Sequence, residues 1–170
     1  QLDEIAKKET PHIIADLSRN FHEAIDRAAG VLLSGGIVCY PTESFYGLAV
    51  DATNEQAIRR LFQAKRRQTN MRILILIHTI EIIDQYVDHI PPVARQFMEA
   101  FWPGGLTLLF QAGSNISPLL IADTGKIGIR LSSHSVATEL ARTTGVPITG
   151  TSANLSGLPA CRNAREALHL

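Results

Sequence analysis

The sequence has almost nothing with which to hold a partner by bulk properties. Its 170 residues carry 16 Lys+Arg against 16 Asp+Glu, a formal net charge of zero. That excludes a protein that coats nucleic acid through an excess of one sign and leaves room only for a local basic patch. Cysteine is scarce: Cys39 and Cys161 are the two, far apart and in no metal-like spacing. A disulfide framework and a cysteine zinc site are therefore excluded. Cys39 falls in a strand expected to be buried, so a reduced, cytoplasmic setting fits best. His12, His22, His78, His89 and His169 show no ligand spacing with one another, so no metal site is expected. No apolar run approaches the roughly 20 residues of a membrane span. The first residues show no signal-peptide pattern. The sequence also lacks G-x-S-x-G, a Walker P-loop and G-x-G-x-x-G. An enzyme built from it would position substrates and stabilise charge rather than form a covalent intermediate.

What is present describes one globular domain. Hydrophobic residues make up 45% and charged residues 19%. A chain of this length buries roughly 70% of its unfolded surface and needs no metal or disulfide to fold. Residues 1–19 read as an N-terminal tail or short extended segment, with a charged start followed by His12-Ile13-Ile14. Residues 20–170 read as the domain. Asn20 with Glu23 forms a capping-box start, and Phe21, Ile25, Ala28, Ala29 and Leu32 fall on one helical face that stops at Gly35-Gly36. Ile37 to Tyr40 reads as a strand. Thr53 with Gln56 opens a second helix, which runs into Lys65-Arg66-Arg67. The continuous apolar run Ile73 to Ile77 marks a strand covered on both faces. Thr79 caps a short helix, and Pro91-Pro92 opens another. Leu106 to Phe110 and Ile127 to Leu131 read as further strands. Ser133 caps a helix that Gly145 ends. Pro147 to Thr149 is a last strand, and Asn163 with Glu166 starts a last helix. Helices and strands interleave, but not every strand pair is separated by a helix. The predicted fold is α/β, a single domain with a twisted, mixed β-sheet flanked by helices and a ligand cleft at the strand ends.

Five stretches carry groups suited to chemistry. Lys65 and Arg67 lie two apart at a helix end, where cations are favoured in any case. Together they could reach one polyphosphate, lysine as a point charge and arginine as a fork. Arg130 lies in an apolar strand opposite Ile129 and Leu131, where it must find an anion. A structural ion pair and a carboxylate ligand both satisfy that demand. His134, at the start of the next helix, suits a cap or core role. Thr42-Glu43-Ser44 is a polar turn whose threonine can bond the backbone. Pro103-Gly104-Gly105-Leu106-Thr107 joins a chain reversal to an open hydroxyl at Thr107. Gly150 to Gly157 places Ser152 and Asn154 in a loop after a strand, with Gly157 at its bend.

In this order the pieces resemble the YrdC family of threonylcarbamoyl-AMP synthases, over about residues 20 to 167. The resemblance rests on Tyr40-Pro-Thr-Glu-Ser-Phe-Tyr-Gly-Leu, Ala64-Lys-Arg-Arg67, Phe101-Trp-Pro-Gly-Gly-Leu-Thr107, Ile129-Arg-Leu-Ser-Ser-His134 and Thr151-Ser-Ala-Asn-Leu-Ser-Gly157. It implies L-threonine, bicarbonate or CO2, and ATP with accompanying Mg²⁺ as substrates, and L-threonylcarbamoyladenylate and pyrophosphate as products. A downstream complex would carry the threonylcarbamoyl group to a tRNA adenosine beside the anticodon. By resemblance Lys65 and Arg67 are catalytic. Lys65, Arg67, Thr107, Ser152 and Asn154 hold ATP, and Thr42, Arg130 and Ser152 hold threonine. The resemblance also implies that Lys65→Ala or Arg67→Ala stops the reaction in a folded protein. Arg66, Arg72, Gly105, Ser132 and Ser135 depart from the usual family pattern. The family's longer members carry a further C-terminal domain, and this chain resembles the short form. An RNA-binding module, for double-stranded RNA, tRNA or rRNA, is the alternative from another class, carried by Lys65, Arg66, Arg67, Arg72 and Arg130. A carbamoyl-phosphate-handling module is a second; such proteins bring cysteine-rich zinc motifs and extra domains.

Overall fold

The structure, a computed structural model, describes residues 15, 17–66 and 72–169. The expected extended piece at His12-Ile13-Ile14, and Arg67 with most of the loop after it, lie outside those residues. Helix α1 (Phe21–Leu33) starts as the sequence predicts: Asn20 Oδ1 accepts from Glu23 N at 3.3 Å, and Asn20 Nδ2 donates to Glu23 Oε2 at 2.6 Å. Strands β1 (Val38–Tyr40) and β2 (Gly47–Ala49) form a hairpin around the polar turn. There follow α2 (Glu55–Ala64), β3 (Leu74–Ile77), a 3₁₀ turn (Ile80–Gln85), α3 (Pro92–Phe101), β4 (Leu108–Gln111), α4 (Pro118–Ile121), β5 (Lys126–Leu131), α5 (Ser135–Thr144), β6 (Ile148–Ser152) and α6 (Ala164–Ala167). The short helix α4 has no counterpart among the predicted elements.

Six strands form one sheet in the order β1-β2-β6-β3-β5-β4. Strands β3 and β5 pair in parallel, and the other neighbours in that order pair antiparallel. The mixed α/β sheet predicted from the sequence is therefore the observed one. Alternation along the strands divides the core between the two faces. Ile75 and Ile77 of β3, with Ile127, Ile129 and Leu131 of β5, pack against Ala57, Ile58, Leu61 and Phe62 of α2 and Met98 of α3. Leu76 and Ile148 face the other way, onto Ile25, Ala29 and Leu32 of α1 and Val136, Ala137, Leu140 and Ala141 of α5. Each fully buried Ile, Leu, Val, Phe or Met among them contributes roughly 1.5–3 kcal/mol. On this second face Arg130, Gly150 and Ser152 line an open cleft together with Leu74, Leu76 and Tyr40.

Several predicted boundaries move, four of them for a reason that the contacts show. Helix α2 is capped by Asn54, whose Oδ1 accepts from Ala57 N at 3.1 Å. Thr53 is not the cap, because Asp51 Oδ1 already takes its N–H at 2.8 Å and its hydroxyl at 2.6 Å. Strand β4 starts two residues later than predicted; the Leu106 carbonyl instead accepts from Trp102 Nε1 at 2.8 Å. Helix α5 is capped by His134, whose Nδ1 accepts from Val136 N at 3.3 Å, while Ser133 is drawn away to Glu43. Strand β6 runs on to Ser152, since antiparallel pairing of Gly47 with Ser152 and Leu48 with Thr151 overrides the turn-forming character of Gly150 to Ser152. Cys39 is exposed, not buried as expected, because β1 is the edge strand. Among the described residues no helix is long and apolar enough to cross a membrane.

Candidate functional site

A cleft of about 130 Å³ opens on the sheet beside the β1–β2 turn, lined by Thr42, Glu43, Phe45, Arg130, Thr151 and Ser152 among others. A glycine lies at its floor. A Cβ on Gly150 would stand 2.4 Å from Leu74 Cδ1 and 3.4 Å from Leu76 Cγ, so a side chain there would press on the leucines beneath the cleft. Tyr40 is buried at the cleft's base and donates to the Thr149 carbonyl at 3.3 Å. Burial pushes its phenol well above the ordinary range.

One wall is built from Glu43 and Arg130, with Thr107 behind the arginine. Arg130 Nε donates to Thr107 Oγ1 at 2.9 Å, which fixes the plane of the guanidinium. Arg130 Nη1 lies 4.0 Å from Glu43 Oε2. Glu43 Oε1 accepts from Ser132 Oγ at 2.7 Å and from Ser133 N at 2.8 Å. Burial raises the Glu43 carboxyl, but those hydrogen bonds and Arg130 outweigh it and hold the group below its ordinary value. Arg130 therefore has a protein carboxylate beside it, as the structural reading required, and also lines the cleft, as the ligand reading required. Thr107 is not the open hydroxyl that was expected: its oxygen serves Arg130, and it lies with the Arg130 wall. Thr42 Oγ1 donates to the Phe45 carbonyl at 2.6 Å and accepts from Ser44 N at 3.3 Å, so it shapes the turn while bordering the cleft.

The other group joins the end of α2 to the end of β6. Lys65 is 1% exposed. Its ammonium donates to the Ser152 carbonyl, to the Asn154 carbonyl at 3.0 Å and to Asn154 Oδ1 at 2.8 Å. Ser152 Oγ donates to the same Asn154 Oδ1 at 2.7 Å, and Asn154 Nδ2 donates to the Leu158 carbonyl at 2.5 Å. Ser156 N returns to the Lys65 carbonyl at 2.9 Å, and Gly157, at φ 84°, turns the loop. The two sequence motifs that bracket the central sheet are thus brought into direct contact. Lys65 is more deeply committed than expected: it is buried and donates to three oxygens of the loop, so Lys65→Ala is expected to cost stability as well. Arg66 takes φ 48°, the left-handed position after a helix where glycine is favoured.

Sequence reasoning named Glu43 only as part of a turn. The available signal was Arg130 itself, an arginine in an apolar strand that needs an anion. That anion arrives from a turn 87 positions earlier in the chain. Among the described residues no group of three or more His, Cys, Asp or Glu is placed to hold a metal ion.

Comparison with known proteins bears on the same stretches. A family model for Sua5, YciO and YrdC proteins, described as telomere recombination, matches residues 30–169. The threonylcarbamoyl-AMP synthase of Bacillus subtilis (strain 168) is 34% identical over 146 residues, 85% of this chain and 42% of that protein. That of Photobacterium profundum is 32% identical over 144 residues, 84% of this chain and 78% of that protein. Among solved structures, P. abyssi Sua5 complexed with L-threonine superposes with a TM-score of 0.83 at 32% identity, covering 85% of this chain and 43% of that one. E. coli YciO, at 22% identity and a TM-score of 0.76 over 86% of this chain and 71% of that one, shares the fold. The chain spans about two fifths of the Bacillus and P. abyssi proteins and nearly four fifths of the Photobacterium one. With the model match running from residue 30 to residue 169, the chain belongs to the Sua5/YciO/YrdC family.

Proposed function

We propose that the chain makes L-threonylcarbamoyladenylate from L-threonine, bicarbonate or CO2, and ATP. The observation that carries this reading is the placement of Arg130 at the cleft, in a chain that superposes on a Sua5 complexed with L-threonine. The threonine ammonium loses one proton to give the amine, whose nitrogen bonds to CO2 (from bicarbonate, after loss of water) and gives up a second proton, leaving a carbamate. A carbamate oxygen then attacks the α-phosphorus of ATP; the bond from that phosphorus to the bridging oxygen breaks, and pyrophosphate leaves with its electron pair. Arg130 holds the threonine carboxylate. Thr42 and Ser152 border the amino acid. Lys65, Arg67, Thr107, Ser152 and Asn154 serve the nucleotide, with Arg67 nearest in kind to a phosphate fork. Lys65 acts mainly by fixing the Ser152–Asn154 loop and lending it positive charge. Mg²⁺ would accompany ATP and help to offset the charge of its phosphates, a role that needs few protein ligands. The residues then work by gathering anions in line and offsetting their repulsion. The product would pass to a complex that transfers the threonylcarbamoyl group to a tRNA adenosine beside the anticodon.

The test uses the chain with labelled bicarbonate, threonine and ATP. Pyrophosphate and a labelled adenylate are expected, both only with threonine, and Arg67→Ala is expected to lower the rate about 100-fold or more. Folded protein that yields neither product removes the reading, and an unchanged Arg67→Ala rate removes that residue's role. Salt-sensitive RNA binding without turnover would favour the RNA-binding alternative.

A further inference from the structure

The carboxylate opposite Arg130 has no part in the reaction as described above. Glu43 reaches the cleft from the β1–β2 turn, and the hydrogen bonds from Ser132 and Ser133 all end on its Oε1. Oε2 faces the guanidinium of Arg130 at 4.0 Å, beyond a direct hydrogen bond. Both side chains keep about a fifth of their surface, 20% for Glu43 and 22% for Arg130. Both line the cleft. The two are held from behind, Glu43 by the start of α5 and Arg130 by Thr107. A negative and a positive group are thus fixed side by side at an open surface, without closing on each other.

An α-amino acid carries the complementary pair. Its ammonium nitrogen and carboxylate carbon are two bonds apart, about 2.5 Å from standard bond lengths and angles. Laid antiparallel against Glu43 and Arg130, each ligand charge meets its opposite. We propose that Glu43 recognises the ammonium of the amino-acid substrate while Arg130 takes its carboxylate, so that the pair selects an α-amino acid over a plain hydroxy acid. This rests on the threonine reading above and adds the residue that would read the amine. Glu43 is a binding group in this scheme and not the base, because its carboxyl is held below the ordinary range and accepts a proton poorly at neutral pH. The two protons that the nitrogen gives up, one before carboxylation and one as the carbamate forms, go to solvent.

Calorimetric binding of L-threonine and of 3-hydroxybutyrate, which keeps the carboxylate and hydroxyl but lacks the amine, tests the assignment in the wild-type chain and in Glu43→Gln. The glutamine keeps an oxygen for Ser132 and Ser133 and loses the charge. Wild type is expected to bind threonine at least 10-fold more tightly than 3-hydroxybutyrate. Glu43→Gln is expected to lose about 10-fold for threonine and less than 2-fold for the hydroxy acid. Equal losses for both ligands would overturn the proposal in favour of a role in positioning Arg130. If the variant does not fold, wild type alone decides: equal affinity for the two ligands overturns the proposal while the threonine reading stands. No threonine binding by wild type removes both.

Discussion

Lys65 and Arg130 are both cations set against an apolar sheet, yet the fold treats them in opposite ways. Lys65 is 1% exposed and closes on three oxygens of the Ser152–Asn154 segment. The Arg130 side chain keeps 22% of its surface, a hydrogen bond to Thr107, and a carboxylate 4.0 Å away that it does not grip. A fully desolvated charge needs every partner in place, because an unmet one costs several kcal/mol. A partly exposed charge tolerates an imperfect partner, since water screens the remainder. The Lys65 knot therefore pins the loop that follows β6, and the Arg130 wall stays partly open to solvent beside its carboxylate.

The comparison breaks most visibly at Lys65. Lys65→Ala is expected to destabilise the chain by about 3 kcal/mol or more, because it takes the lysine donor from the Ser152 and Asn154 carbonyls and empties a buried site. Urea denaturation measures this, and a loss below about 1 kcal/mol would mean that the knot is not structural. A pH titration probes the other wall with a smaller effect. The Glu43 carboxyl is lowered in the fold, so its contribution to stability is complete above the ordinary glutamate value of about 4.3 and is lost as pH falls through the lower folded value. Arg130, Tyr40 and the Ser132 and Ser133 donors are the groups that face it. Thermal midpoints of wild type and Glu43→Gln should be separated at neutral pH and converge in acid; a constant gap down to acid pH would contradict the assignment. The smallest effect has the opposite sign. Arg66 sits at φ 48° directly after Lys65. Arg66→Gly is expected to stabilise by up to about 1 kcal/mol by relieving the left-handed strain. A loss on chemical denaturation would show that the arginine side chain makes a contact worth more than the strain.

Local chemistry was easy to read along the chain. Asn20 with Glu23 and Asn163 with Glu166 cap α1 and α6 as the spacing predicted, because a cap is a contact across three residues. The buried run at Ile73 to Ile77 became the central strand β3 for a similar reason: an apolar stretch has few other places to go. Thr53 and Ser133 misled because each had a competing partner, Asp51 in one case and Glu43 in the other. At Asp51 that competitor lay two residues off and was legible in principle. Glu43 was not, since nothing in the polar turn says which strand it will face.

The amino-acid sequence by itself determined the capped starts of α1 and α6, the alternation that divides the core between two faces, the mixed sheet, and the supply of cations, hydroxyls and glycines. Those are properties of neighbours and of periodicity. The tertiary structure alone decided which cation is buried and which is open. Lys65 meets residues 152 and 154, and Arg130 meets residue 43, only because antiparallel pairing of β2 with β6 and parallel pairing of β3 with β5 bring distant parts of the chain together. Register across a sheet is set by the packing of whole faces, so no short stretch of the chain carries it.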